Sequence, residues 1–253
     1  MGGEFKDHFA SVAAQYAQSR PTYPSPLFDW LAGQCEAHDL AWDCGAGNGQ
    51  ASLELARHFN RVLATDASAS QIGEALPHPR IEYRVAPAEV SGLPEQGADL
   101  VVVAQALHWF DLDRFYREVE RVLKPGGVVA AWSYGVLEVE GEEVNVLVQR
   151  FYHDEVGPYW PPERRYVETG YRDLAFPFPP LAAPTFAMNL SWNLEQLLGY
   201  FRSWSASAAY IKAQGSDPVA ALEPKLRACW GDADQAHPVN WPLAMRVGKA
   251  CRP

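Results

Sequence analysis

The chain is 253 residues long, 48% hydrophobic, and carries a formal charge of −10. That length serves one large domain, or a core with an elaboration. The acidic balance, with no Lys/Arg run, argues against nucleic acid as a partner, because phosphate binding depends on basic side chains, and no run of ~18 apolar residues is present to span a membrane. Cys35, Cys44, Cys229 and Cys251 form no CxxC pair and no His/Cys cluster with zinc spacing. They read as reduced, mostly buried thiols of a cytoplasmic protein, and no metal site is expected. Met1 to Ala10 carries Glu4, Lys6 and Asp7 without an apolar run, so no signal peptide is expected.

Phe5, Phe9, Val12, Ala13 and Tyr16 fall on one face of a helix predicted from about Phe5 to Ala17. Arg20-Pro21-Thr22-Tyr23-Pro24 breaks it, and a second helix is expected from Ser25 to Cys35, with Ser25 as N-cap before a proline. A strand–helix alternation follows. Strands are expected at Leu40 to Cys44, Arg61 to Thr65, Ile81 to Val85, Ala98 to Ala104 and Val128 to Ser133. Helices are expected at Gln50 to His58, Ser68 to Leu76 and Leu112 to Leu123, the last closed by Lys124-Pro125-Gly126-Gly127. Continuous apolar strands separated by helices imply a mostly parallel sheet covered on both faces.

The pattern changes after Tyr134. A helix is expected from Glu142 to Asp154, then a Pro- and aromatic-rich stretch from Gly157 to Pro184, too aromatic for a disordered linker. Phe186 to Trp192 alternates as a strand, Asn193 to Ala208 reads as one helix, and Pro218 to Cys229 as another, kinked near Pro224. A last strand is expected at Leu243 to Val247, within an extended run from Val239.

The most informative local motif is Asp43-Cys44-Gly45-Ala46-Gly47-Asn48-Gly49-Gln50, between a strand and a helix. Glycine permits positive φ and close approach of a ligand to backbone, and the helix start offers free N–H groups. A tight connection without a ligand would use the same residues. Asp66, at the end of the second strand, is placed as the acidic residue that accepts hydrogen bonds from a ribose diol in dinucleotide folds; it could also cap a helix, as could Ser68. Together the two features favour an adenosine-containing ligand. The glycines run G-x-G-x-G with Gln50 in the sixth position, where the dinucleotide fingerprint needs a small residue, which argues against a nicotinamide cofactor.

The stretches DCGAGNGQASLELA, VLATDAS, APAEVSGLP, ADLVVVAQALHWFD and REVERVLKPGGVVAAW, in that order and spacing, resemble the class I methyltransferases, and specifically the small-molecule group called type 11. FKDHFASVAAQYAQSRPTYP and the later YWPPERRYVETGY, LSWNLEQLLGYFRSWSA and WPLAMRVGK look like the ends of trans-aconitate-methyltransferase-like proteins. The resemblance implies a Rossmann-like α/β fold with a mostly parallel seven-stranded sheet and helices on both faces. It implies one domain, with an N-terminal cap over 1–36, a cofactor-binding core over 37–135 and an aromatic-rich, substrate-side region over 136–253.

The cofactor implied is S-adenosyl-L-methionine. Its methionyl part would lie against Gly45, Ala46 and Gly47, with Asp43 orienting the amino group and Asp66 holding the ribose. Ala67 and Ser68 would flank the adenine, and Ala88 and Glu89 would line its edge. Pro87 stands where the family often has Asp, which removes both a carboxylate and an N–H. Gln105 and Ala106 would face the sulfonium. Tyr16 and Arg20 would close over the cofactor, Arg20 pairing with its carboxylate, although Arg20 also reads as a surface residue.

The implied reaction transfers a methyl group to a small molecule, with a carboxylate as the acceptor by analogy with the subgroup. N-, C- or hydroxyl-O-methylation of a secondary metabolite, and a non-catalytic binding module, stand as alternatives. His108 is the candidate base, or a packing residue that orients its loop. Tyr23, Trp109, Trp160, Trp192, Tyr200 and Trp204 are candidates for the substrate wall, and Arg202 for a carboxylate anchor; each large aromatic also reads as core. A monomer or homodimer is expected.

Overall fold

The computed structural model describes residues 21–250. The helix expected from Phe5 to Ala17, with Tyr16 and Arg20, lies outside them. The first described helix, α1 (Ser25–Gly33), is capped differently from the expectation: Pro24 is its N-cap, and the Ser25 hydroxyl instead donates to Glu54 at 2.9 Å. Pro24 cannot continue a helix backwards and Pro26 fits the first turn, so the two prolines set the start without a side-chain cap.

Next come β1 (Leu40–Cys44), α2 (Gln50–Leu55), β2 (Arg61–Asp66), α3 (Ala69–Gly73), β3 (Ile81–Val85), β4 (Ala98–Ala104), α4 (Leu112–Val122) and β5 (Leu123–Tyr134). The remainder is β6 (Glu138–Val139), α5 (Glu142–Arg150), α6 (Arg164–Glu168), β7 (Phe186–Trp192), α7 (Leu194–Arg202), α8 (Ser205–Gln214), α9 (Pro218–Trp230) and β8 (His237–Lys249). The strands form a mixed eight-stranded sheet in the order β3-β2-β1-β4-β5-β8-β6, with β7 also pairing β8. The extra strand over the expected seven reflects β6, whose two residues lie in an acidic stretch with no strand pattern. Among the described residues no helix is long and apolar enough to cross a membrane.

The chain divides into two compact units. One holds Tyr23–Gly135, Glu163–Ala187 and 242–250. Here β1 to β5 are parallel, and β8 runs antiparallel to β5, with Ala130 opposite Val247. The central strands β1 and β4 are buried on both faces, as their unbroken apolar runs require. Trp42, Leu63, Val101, Phe115, Val119 and Val129 belong to one core cluster, and each such side chain contributes roughly 1.5–3 kcal/mol by leaving water.

Lys124-Pro125-Gly126-Gly127 does not separate a helix from a strand. Leu123 already pairs with Ala98, and Val128 pairs with Leu100, so the four residues form a bulge in β5 opposite Asp99. Pro125 has no N–H to offer a ladder and Gly126 takes φ +78°, so the ladder is interrupted there. Asp99, nearly buried, ties the bulge down. Its carboxylate accepts the Asp39 and Leu40 N–H groups at 2.8 and 3.0 Å and pairs with Lys124 at 2.7 Å.

The other unit holds Val136–Pro162 and Met188–Trp241. The helix expected over Asn193 to Ala208 is two helices. α7 has an Asn193/Gln196 capping box and ends at Arg202, and Trp204 turns extended (ψ 138°) to start α8. That turn places the Trp204 ring 6.0 Å from Phe151 and 5.5 Å from Tyr152 in the core. The helix expected over Glu142 to Asp154 is α-helical to Arg150 and then widens to a π-turn over Phe151–Glu155. Of the described cysteines only Cys44 is fully buried; Cys35 and Cys229 are half-buried, and all three are free thiols.

A buried carboxylate supplies the test of the first unit. Glu118 accepts from the Ser91 N–H and hydroxyl at 2.8 and 2.6 Å and pairs with Arg121 at 2.7 Å. Burial would raise its carboxyl, but the Arg121 and Ser91 hydrogen bonds outweigh it and hold the group at about 2. Its stabilisation is therefore present above the usual 4.5 and is lost as pH falls through about 2. Urea unfolding should show the gap between parent and Glu118→Gln closing across that window; a gap independent of pH would contradict the depressed carboxyl.

Candidate active site

The glycine turn is pinned to the end of β2. The Gly45 and Ala46 N–H groups both donate to the Thr65 carbonyl, at 2.8 and 2.9 Å. The next residue, Asp66, holds the turn's far side. Its Oδ2 accepts from Gly47 N–H at 2.9 Å and its Oδ1 from Ser68 N–H at 2.8 Å. Ser68 then caps α3, accepting from the Gln71 N–H. Gly45 has φ +71°, and a Cβ there would come within 2.6 Å of the Ala106 Cβ. Gly47, at φ +57°, would meet only the end of Gln71. The first glycine thus permits strand ends to close together, and the second leaves open space above the turn.

Beneath the turn lies Asp43, fully buried on β1. Its Oδ2 accepts from the Ser52 hydroxyl at 2.6 Å. Its Oδ1 has no partner among the described residues. Burial pushes this carboxyl up to about 7, against the Ser52 hydrogen bonds, and the Asp66 charge adds to the rise.

A cleft of about 310 Å³ opens at the carboxyl ends of β1, β2 and β4, the place where open α/β sheets receive ligands. Gly45, Asp66, Ala67, Ala88, Glu89, Ala106 and Trp109 line it, all of them expected site residues. Trp109 is 59% exposed, unusual for its size. Ala86 and Phe110 also line it and were not anticipated; the position of Phe110 directly after ALHW was the available signal. Glu89 is partly engaged, accepting the Asp111 N–H at 3.1 Å.

The end of β4 is strained. Gln105 takes φ +57°, a conformation costing about 1–3 kcal/mol for such a residue. Its side-chain amide bonds both backbone groups of Tyr134 at 3.0 Å, holding β4 to β5. The Gln105 side chain expected at the sulfonium is therefore a clamp. His108, half-buried, places Nδ1 3.0 Å from the Tyr171 hydroxyl. Burial and, after it, the Arg164 cation lower its pKa to about 4, against the opposing Glu163 charge. Tyr23 packs edge-on against Trp132 with centroids 5.4 Å apart. Burial pushes its phenol well above the usual value, and the nearby Tyr134 and Asp43 add to that.

The other candidates belong to the second unit, where they pack on one another. Trp192 and Tyr200 have centroids 5.1 Å apart, and Trp160 and Tyr200 each lie 5.6 Å from Trp204. Trp192 and Trp204 are buried in this core, which is the alternative reading of a large aromatic. Arg202 is not an open anchor: its guanidinium pairs with Asp217 at 3.1 Å and Glu223 at 3.4 Å. Sequence offered no view of this, because the two carboxylates lie on or before α9, well along the chain.

A family model described as a methyltransferase domain matches residues 42–131. The chain is 35% identical over 252 residues to a Dictyostelium discoideum protein named as a methyltransferase, with 97% of this chain and 96% of that protein covered. To a methyltransferase of Aspergillus candidus it is 26% identical over 276 residues, with coverage of 93% and 85%. A solved structure from Anaeromyxobacter dehalogenans, described as a type II methyltransferase, superposes with a TM-score of 0.88 at 48% identity, covering 92% of this chain and 99% of that one.

The raised carboxyl of Asp43 makes a prediction with a definite sign. The folded chain keeps a proton that the unfolded chain releases near 3.8, so its contribution to stability is complete below 3.8 and drains away as pH rises through about 7. Asp43→Asn should therefore melt progressively higher than the parent as pH rises from 3.8 to about 7, with the gap level above that. A constant offset in calorimetric melting would show that the folded carboxyl ionises normally.

Proposed function

The chain belongs to the class I S-adenosylmethionine-dependent methyltransferases, and we propose that it methylates a carboxylate oxygen of a small-molecule acceptor. In this reading Gly45, Ala46 and Gly47 lie against the methionyl part of the cofactor and Asp43 takes its ammonium group. Two features support the fit. The Asp43 Oδ1 is buried without a partner among the described residues, as a site for a cation would be before binding. The Asp66 carboxylate spends one lone pair of each oxygen on Gly47 and Ser68 and keeps the others for a diol. Ala67 and Ser68 flank the adenine, Ala88 and Glu89 line its edge, and the Ala106 backbone lies toward the sulfonium.

When bound, S-adenosylmethionine supplies a methyl group already made electrophilic by a positively charged sulfur. The work left to the protein is to orient the acceptor oxygen in line with the carbon–sulfur bond and to keep water out. Trp109 and Phe110, along one edge of the cleft, are placed to do the second. The acceptor class rests on His108. An imidazole held at about 4 by burial and by Arg164 has little tendency to take a proton at neutral pH. A carboxylate acceptor needs no base, whereas a neutral hydroxyl or an ammonium does.

An acceptor panel read by S-adenosylhomocysteine release should give turnover with organic acids and a rate flat from about pH 6 to 8. Turnover confined to phenols or amines, with a rate climbing through neutral pH, would reject the carboxylate assignment. In calorimetry, Asp66→Ala should weaken S-adenosylhomocysteine binding by about 10- to 100-fold, the loss of hydrogen bonds to a charged group. Parent binding at pH 7 should also release protons, since a cation beside Asp43 favours its ionised form. Equal affinity in Asp66→Ala would remove the diol contact from the assignment.

A further inference from the structure

Tyr171 is fully buried, yet it takes φ +60°, a left-handed conformation that a bulky residue rarely adopts. The surrounding structure enforces it. Arg246 donates through Nη1 to the Tyr171 carbonyl at 2.6 Å and to the Leu174 carbonyl at 2.9 Å. The preceding Gly170 also has φ +60°, and a Cβ there would come within 2.6 Å of the Ala244 Cβ. β8 thus holds the 170–171 backbone in a conformation that ordinary loops avoid, and such strain gathers at functional positions.

The result of the strain is the position of one hydroxyl. The Tyr171 hydroxyl reaches the turn that carries His108. Its oxygen lies 3.0 Å from His108 Nδ1. A buried phenol seeks an acceptor for its own hydrogen, and burial keeps this one protonated, far above neutral pH. The imidazole beside it is neutral, so one ring nitrogen carries hydrogen and the other accepts. Nδ1 is the acceptor within reach of this buried phenol, so the phenol hydrogen goes to Nδ1 and the ring hydrogen sits on Nε2.

We propose that Tyr171 is a positioning residue that holds His108 as the Nε2–H tautomer, so that the ring donates a hydrogen bond to an acceptor oxygen already carrying negative charge and takes no proton from a neutral hydroxyl or amine. This rests on the carboxylate reading above and gives it a structural origin. In the transfer step a lone pair of the carboxylate oxygen forms the bond to the methyl carbon, and the carbon–sulfur pair stays with sulfur. The carboxylate and sulfonium charges cancel and no proton is displaced, so a donor at Nε2 is compatible where a base would be idle. Arg164 and Glu163, at the start of α6, act on the same ring with opposite charges.

Nitrogen-15 correlation of the histidine rings in the full chain tests this, with the His108 signals identified by their loss in His108→Asn. The parent should show one neutral form, Nδ1 bare and Nε2 protonated, from about pH 6 to 8. Tyr171→Phe should replace it with a mixture of tautomers and raise KM for an organic-acid acceptor about tenfold, the loss of one well-aligned hydrogen bond to a charged group, with a smaller change in kcat. A protonated Nδ1 in the parent, or an imidazolium titrating above pH 6 (roughly the ordinary histidine range), would overturn the assignment. So would a Tyr171→Phe protein with the parent's tautomer and KM. Should Tyr171→Phe fail to fold, the parent spectrum alone decides. Calorimetric uptake of S-adenosylhomocysteine and the acceptor panel, run on the same material, test the underlying reading separately: methylation of amines with the Nε2–H form present would fault the acceptor class and not the ring.

Discussion

One carboxylate holds the site together. Asp66 takes the Gly47 N–H on one oxygen and the Ser68 N–H on the other, while the carbonyl just before it takes Gly45 and Ala46. Four backbone donors from two successive turns are thereby aimed at the last two residues of β2. Donors at a turn and a helix start must find partners somewhere, since a buried unpaired N–H costs about 1–3 kcal/mol. Satisfying them on Asp66 and Thr65 makes the turn rigid before any ligand arrives, which lowers the ordering cost of binding.

The same economy of geometry recurs at the end of β4. Gln105 and Tyr171 both sit at positive φ, and neither is glycine. Each is held by hydrogen bonds that outlast the strain, Gln105 through the Tyr134 backbone and Tyr171 through Arg246. Between them lies the short turn with Leu107 and His108. Methyl transfer depends on placing a nucleophile within a fraction of an ångström of its line of attack, and a turn clamped from both sides serves that need better than a free loop.

Charge is distributed to match. Asp43 and His108 are both moved toward neutrality by burial, one raised and the other lowered. A neutral Asp43 costs the fold less than a buried carboxylate would. In the second unit the charges do structural work: Arg202 and Arg227 share Glu223 along the α7–α9 face, and the aromatic side chains close the core beneath them.

The strand–helix alternation, the glycine turn, Asp66 and the cleft residues from Gly45 to Trp109 were legible in the sequence, because continuous apolar strands and a glycine turn leave local signatures that do not depend on what packs around them. The caps and breaks were not. Ser25 reads as a cap but bonds Glu54, the 193–208 helix breaks where Trp204 turns into a core, and the KPGG stretch becomes a bulge because Asp99 waits opposite it. The roles of Arg202, Gln105 and Tyr171 depend on partners 15 to 75 residues away. Sequence by itself determined the strand–helix architecture of the core and the place of the glycine turn within it; only the tertiary structure decided which polar side chains are already paired, because hydrogen bonding saturates and its partners are chosen by proximity in space.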